Sequence, residues 1–167
     1  ASTLWRKEIS ANQYRANFMK ECIANINIDF EGGFAPGKEV DFPQYNHLII
    51  KKKYSHGQYL KRTKRSFVVF NTPAVQNCFG WKLAEYLAMG KAIISTPINN
   101  LLPSPLINGK HIHFVSGTQK SIHDAINIIQ SDSAYREVLE QNSREYFVKY
   151  LSPKSAFNRI IKFATRC

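Results

Sequence analysis

The chain has 167 residues, of which 44% are hydrophobic and 13% aromatic, and it carries a formal net charge of +11. That length suffices for one domain with its own core, which excludes an intrinsically disordered chain and a miniature fold held by disulfides or metals. The charge favours an anionic partner, whether a phosphate-bearing ligand, nucleic acid or an acidic membrane face, unless the basic surface is simply solvated.

From Leu4 to Cys22 the residues Leu4, Trp5, Ile9, Phe18, Met19 and Cys22 recur at roughly helical spacing, which predicts an amphipathic helix. Ile23 to Phe30 alternates isoleucine with asparagine or aspartate and reads as a strand, ended by a loop at Gly32, Gly33, Pro36 and Gly37. His47 to Ile50 is a short strand candidate, and Ser55 to Arg65 a basic helix. Positive charge is concentrated here, in Lys51, Lys52 and Lys53 and in Lys61, Arg62, Lys64 and Arg65.

Phe67 to Phe70 is a continuous apolar run suited to a buried parallel strand, and Pro73 ends it. Trp81 to Met89 reads as a helix closed by Gly90, and Ala92 to Ser95 as a second buried strand halted at Pro97. A loop with Pro103, Pro105 and Gly109 leads to a strand from His111 to Val115. Ile122, Ala125, Ile126 and Ile129 mark one helix face, a helix from about Asp132 to Tyr150 follows, and Pro153 opens a last helix carrying Phe157, Ile160, Ile161 and Phe163. Strands alternating with helices predict an α/β, Rossmann-like, three-layer fold with a mostly parallel sheet over residues 1–167.

The residues that carry chemistry cluster between Phe67 and Pro97. A strand, a loop (Asn77, Cys78, Phe79, Gly80), a helix from Trp81, a glycine turn and a second strand follow one another. In an open parallel sheet, a strand's carboxyl end and the next helix N-terminus bind phosphates, through free N–H groups and the helix dipole. Gly80 permits close backbone approach, Lys82 adds a cation in the first turn, and Glu85 lies one turn on, placed to accept two ribose hydroxyls.

Lys82 to Ile94, Lys-Leu-Ala-Glu-Tyr-Leu-Ala-Met-Gly-Lys-Ala-Ile-Ile, resembles the donor-binding C-terminal domain of GT-B glycosyltransferases of group 1, the family-4-like enzymes. The resemblance runs from roughly Ser66 to Ile161, through Pro105-Leu-Ile-Asn-Gly and the helices ending near Tyr150. It implies transfer of a sugar from a nucleoside diphosphate sugar to a carbohydrate or lipid-linked acceptor, as in polysaccharide biosynthesis. It also implies that Glu85 holds the donor ribose, and that Asn77, Phe79, Gly80, Trp81 and Lys82 face diphosphate and sugar. The family commonly has two glutamates with seven residues between them; here the first is Asn77, so only uncharged hydrogen bonding remains at that place. Lys53, Arg65 and Lys82 are positional candidates for the phosphate-neutralising pair. The catalytic residues are not identifiable, no cofactor or metal is needed, and the acceptor domain expected before this region is absent from the chain.

Cys22, Cys78 and Cys167 form neither a disulfide framework nor a CxxC zinc site, which points to a reducing compartment. No apolar stretch approaches the roughly 18 residues of a spanning helix, and no signal pattern opens the chain. A cytoplasmic location follows, with peripheral contact to anionic lipid at the inner membrane face as an addition. His111 and His113 share a strand face but lack further ligands at zinc spacing. A non-catalytic interaction module, or a nucleic-acid binder using residues 51–65 with Tyr45, Tyr54 and Tyr59, are the alternatives.

Overall fold

The computed structural model describes residues 2–37 and 42–165. Its centre is a three-stranded parallel sheet in the order β1 (Val68–Asn71), β2 (Ala92–Ser95), β3 (His113–Phe114). Val68 to Asn71 pair with Ala92 to Ser95, and Ile94 and Ser95 pair with His113 and Phe114. All four residues of β2 are buried, as a central strand covered on both faces requires.

Strand alternation sorts the core into two layers. Ala92 and Ile94 meet Phe18 and Cys22 of α1 (Ile9–Ala24), the Ile122, Ala125, Ile126 and Ile129 face of α4 (Gln119–Ser131), and Leu139 of α5 (Ser133–Tyr146). Val69 and Ile93 point the other way, to Leu83, Tyr86 and Leu87 of α3 (Trp81–Ala88), to Tyr146, and to Tyr59 of α2 (His56–Arg65). The α/β/α layering and parallel sheet expected from the sequence are therefore present.

Local signals set the helix ends. Ser55 accepts the Gln58 N–H while Gln58 reaches back to the Ser55 N–H, a reciprocal cap that starts α2. Thr118, Asp132 and Ser152 cap α4, α5 and α6 (Pro153–Ala164) from one side, accepting the N–H groups of Ser121, Tyr135 and Ser155. Gly90 takes φ 61° just beyond α3, where a Cβ would press to 3.2 Å from the Glu140 carbonyl oxygen.

Five expected elements differ. Ile23 to Phe30 forms no strand, because Asn25 ends α1 and turns the chain: the Asn27 N–H donates to Asn25 Oδ1 at 3.0 Å and the Ile28 N–H to the Asn25 carbonyl at 3.0 Å. The alternation then has no sheet to serve, and Ile26 is 96% exposed. His47 to Ile50 is mostly a 3₁₀ turn (Pro43–Leu48) opened by a proline; only a single bridge joins Ile49 to Phe34. The first helix begins at Ile9 instead of Leu4, since the Trp5 N–H and carbonyl are both taken by the side chain of Asn12, at 3.1 and 2.7 Å. The last turns before Pro153 are a π-helix, Phe147–Leu151, and the β3 region keeps only His113 and Phe114 as strand.

Candidate functional site: a cationic pocket at the carboxyl end of β1

The chain leaves β1 through Asn71, Thr72 and Pro73 and returns to the sheet edge as α3. Asn71 is fixed by donating to Ser95 Oγ at 2.9 Å, which ties the carboxyl ends of β1 and β2 together. Between them lies a tight turn, Val75–Asn77, closed by the Ala74 N–H donating to the Cys78 carbonyl at 2.8 Å. Gln76 and Asn77 both hold left-handed backbone, φ 56° and 57°, an arrangement non-glycine residues adopt at a cost. Glu8 steadies it by accepting the Gln76 N–H at 2.7 Å.

Helix α3 differs from α2, α4, α5 and α6 at its start. Its N-cap is Gly80, which offers no side-chain oxygen to the first-turn N–H groups. Gly80 itself has ordinary backbone, φ −73°, and an added Cβ would meet only Ala74 Cβ at 3.9 Å. The fold does not require glycine there, so what a side chain would occupy is the open space in front of the helix.

Into that space come two cations. Lys82, in the first turn of α3, donates to Ser2 Oγ at 3.3 Å. Burial, reinforced by the charge of Arg15 and opposed by Glu85, lowers its pKa from 10.5 to about 8. Arg15 enters from α1, 5% exposed, with Nε donating to Thr72 Oγ1 at 3.1 Å, Nη1 to the Thr3 carbonyl at 2.8 Å, and its guanidinium 4.0 Å above the Trp5 ring. Its Nη2 is buried and has no hydrogen-bond partner among the described residues. Burial also lowers the Arg15 pKa to about 10, against the raising effect of Glu8. Two like charges held together in a desolvated place are costly unless an anion joins them.

Both cations line a cavity of about 380 Å³ with Gly80, Trp81, Ala74, Thr72, Lys53 and an aromatic group, Tyr54, His56 and Tyr59. That volume lies within the usual range for small-molecule sites. A second cavity, about 420 Å³, runs along β1 toward the 27–33 segment and shares Arg15, Tyr54, Tyr59 and Lys82 with the first.

Of the sequence-derived candidates, the structure gathers Gly80, Trp81, Lys82 and Lys53 around one cavity. Asn77 and Phe79 lie on the exposed turn before α3 and line neither cavity, and Arg65 lines the neighbouring one. Glu85 sits one turn into α3, with Oε2 buried and unpartnered among the described residues, and lines neither cavity. Arg15 was missed. The available signal was a charged residue in phase with the buried face of α1, formed by Asn12, Ala16, Met19 and Cys22.

The histidines of the β3 region serve separate partners: His111 Nδ1 accepts the Ile107 N–H at 3.0 Å, and His113 meets the Tyr135 hydroxyl at 2.8 Å. Among the described residues, no group of three or more His, Cys, Asp or Glu side chains is arranged to hold a metal ion, and no helix is long and apolar enough to cross a membrane.

The geometry has counterparts among known folds. It is similar to the C-terminal domain of a glycosyl transferase group 1 family protein, LpcC, from Francisella tularensis. The TM-score is 0.64 at 14% identity, over 89% of this chain and 82% of that domain. The fold is that of a GT-B C-terminal domain. A sucrose-phosphate synthase from Thermosynechococcus elongatus is similar with TM-score 0.58 and 18% identity, over 74% of this chain but only 31% of the synthase. The described chain thus spans about a third of that enzyme. No protein-family model and no curated protein sequence matches.

Proposed function

We propose that this chain is the donor-binding part of a glycosyltransferase and that it takes a nucleoside diphosphate sugar in the β1–α3 cavity. The observation that carries the reading is the convergence of Arg15, Lys82 and the side-chain-free N-terminus of α3 on one pocket. Among the described residues, no acidic side chain lines this pocket; a diphosphate brings negative charge to it, and its oxygens fit bidentate guanidinium and helix-terminal N–H donors. The fold similarity supports the same class of ligand.

In this scheme Glu85, one turn into α3 and just outside the cavity lining, holds the ribose, and Asn77 and Phe79, on the turn before α3, border the sugar end of the donor. As the glycosidic bond breaks, charge grows on the departing diphosphate. Cations and N–H groups already oriented toward it stabilise that charge without rearranging, which is the main way this part of the enzyme would lower the barrier. The acceptor, a carbohydrate or a lipid-linked one, would be bound by a second, N-terminal domain, and the part described here would transfer nothing alone. A cytoplasmic enzyme touching anionic lipid through Lys51 to Lys53 and Lys61 to Arg65 is consistent with the +11 charge.

A thermal-shift panel of UDP, GDP, ADP, CMP and their sugars tests the reading. A ligand at a hundred times its dissociation constant adds about 2.7 kcal/mol, a shift of several degrees for a domain of this size. Stabilisation by one nucleotide that is lost in Lys82→Met and weakened in Glu85→Ala supports donor binding. No stabilisation at millimolar concentration by any of them sinks it.

A further inference from the structure

The cavity has a second end. Trp81 is 62% exposed although it opens α3 beside the sheet, and its ring lies 6.0 Å from His56 and 6.1 Å from Tyr59, centroid to centroid. His56 and Tyr59 are themselves 6.3 Å apart, so three rings from two helices form a tilted cup. Tyr59 is anchored from below, its ring packed against the core cluster of Leu83, Tyr86 and Leu87. Lys82 Nζ lies 5.9 Å from the Tyr59 centroid, which puts the cup next to the cationic end of the same cavity.

A cavity with flat π-surfaces at one end and two desolvated cations at the other suits a ligand with an aromatic ring joined to an anionic group. We infer that His56, Tyr59 and Trp81 are the stacking platform for the nucleobase of the nucleotide whose diphosphate sits at Arg15 and Lys82. This rests on the donor-binding reading above and adds which residues hold the base. Stacking is tolerant of base identity because every base has a π-face, so the platform supplies affinity, and selectivity among bases has to come from edge contacts.

The test is calorimetric titration of the full chain with pyrophosphate, a sugar 1-phosphate, and UDP, GDP, ADP and CDP, repeated on Trp81→Ala and His56→Ala. Trp81→Ala removes an exposed side chain, and thermal melting confirms that it folds. The platform predicts that at least one nucleoside diphosphate binds native chain about tenfold or more tightly than pyrophosphate, that both variants lose most of that preference, and that pyrophosphate affinity is unchanged. Tryptophan fluorescence should fall with the nucleotide and not with pyrophosphate. If a nucleoside diphosphate binds but the variants keep its preference over pyrophosphate, the platform is refuted while donor binding survives. If the sugar 1-phosphate shows the Trp81-dependent preference instead, the rings face a sugar and the base assignment is wrong. If no phosphate compound binds, both proposals fail together.

Discussion

Replacing Lys82 with arginine should flatten a pH dependence that the native chain shows. Lys82 titrates near pH 8 because burial and the Arg15 charge disfavour its ammonium form. A bound diphosphate reverses that preference and raises the pKa, so binding takes up a proton wherever the free chain has lost it. With a free-state pKa of about 8, roughly one chain in ten keeps the charge near pH 9, and diphosphate affinity there should be about tenfold below that near pH 7. The unliganded fold has the opposite slope: between about 8 and 10.5 the unfolded chain binds more protons at this lysine than the folded one, so its contribution to stability rises with pH across that window. Calorimetry with ADP or CDP, whose bases do not titrate in this range, measures the affinity, and Lys82→Arg keeps its charge throughout. A native affinity that is flat from about pH 7 to about pH 9, or a Lys82→Arg profile that falls as steeply as the native one, refutes the role given to this side chain.

Other outcomes follow from the packing. Gly80→Ala should melt within about 1 kcal/mol of native yet bind nucleotide more weakly, since the fold has room for the Cβ and the ligand space does not. Gly33→Ala should be destabilised by well over 1 kcal/mol in denaturant titration, because at φ 148° its Cβ would fall 2.5 Å from Ile50 Cγ2 and 2.6 Å from the Leu48 carbonyl oxygen. Ile126→Ala should cost about 2–5 kcal/mol, as it empties a buried site between α4 and the sheet. Cys22, buried in α1 with its thiol pushed up to about 12, should resist alkylation in the native state and react only on unfolding, whereas the exposed Cys78 is accessible; peptide mapping by mass spectrometry separates the two.

The sheet and its covering helices were legible because their residues obey one rule each. The run Phe67 to Phe70 and the run Ala92 to Ser95 are apolar on both faces, which fits a covered parallel strand. Ile122, Ala125, Ile126 and Ile129 repeat at helical period behind a threonine cap, and all four are buried. The region before α2 failed for a physical reason: alternating Ile and Asn from Ile23 to Phe30 has strand periodicity, but Asn25 competes with the ladder by bonding its own following backbone. Half of the cationic pocket was visible in the strand–loop–helix order around Lys82. The other half was not, because Arg15 stands far away in sequence and reaches Thr72 only through the packing of α1 against the sheet.

The central claim is that an anionic nucleotide binds where β1, α1 and α3 meet, and an amide chemical-shift map with each nucleoside diphosphate tests it most directly. The account predicts that one of them shifts the amides from Thr72 to Leu83 and the guanidinium of Arg15, leaving Lys61 to Arg65 unmoved. Saturating nucleotide that moves only the basic Lys61 to Arg65 segment, or moves nothing, would contradict it.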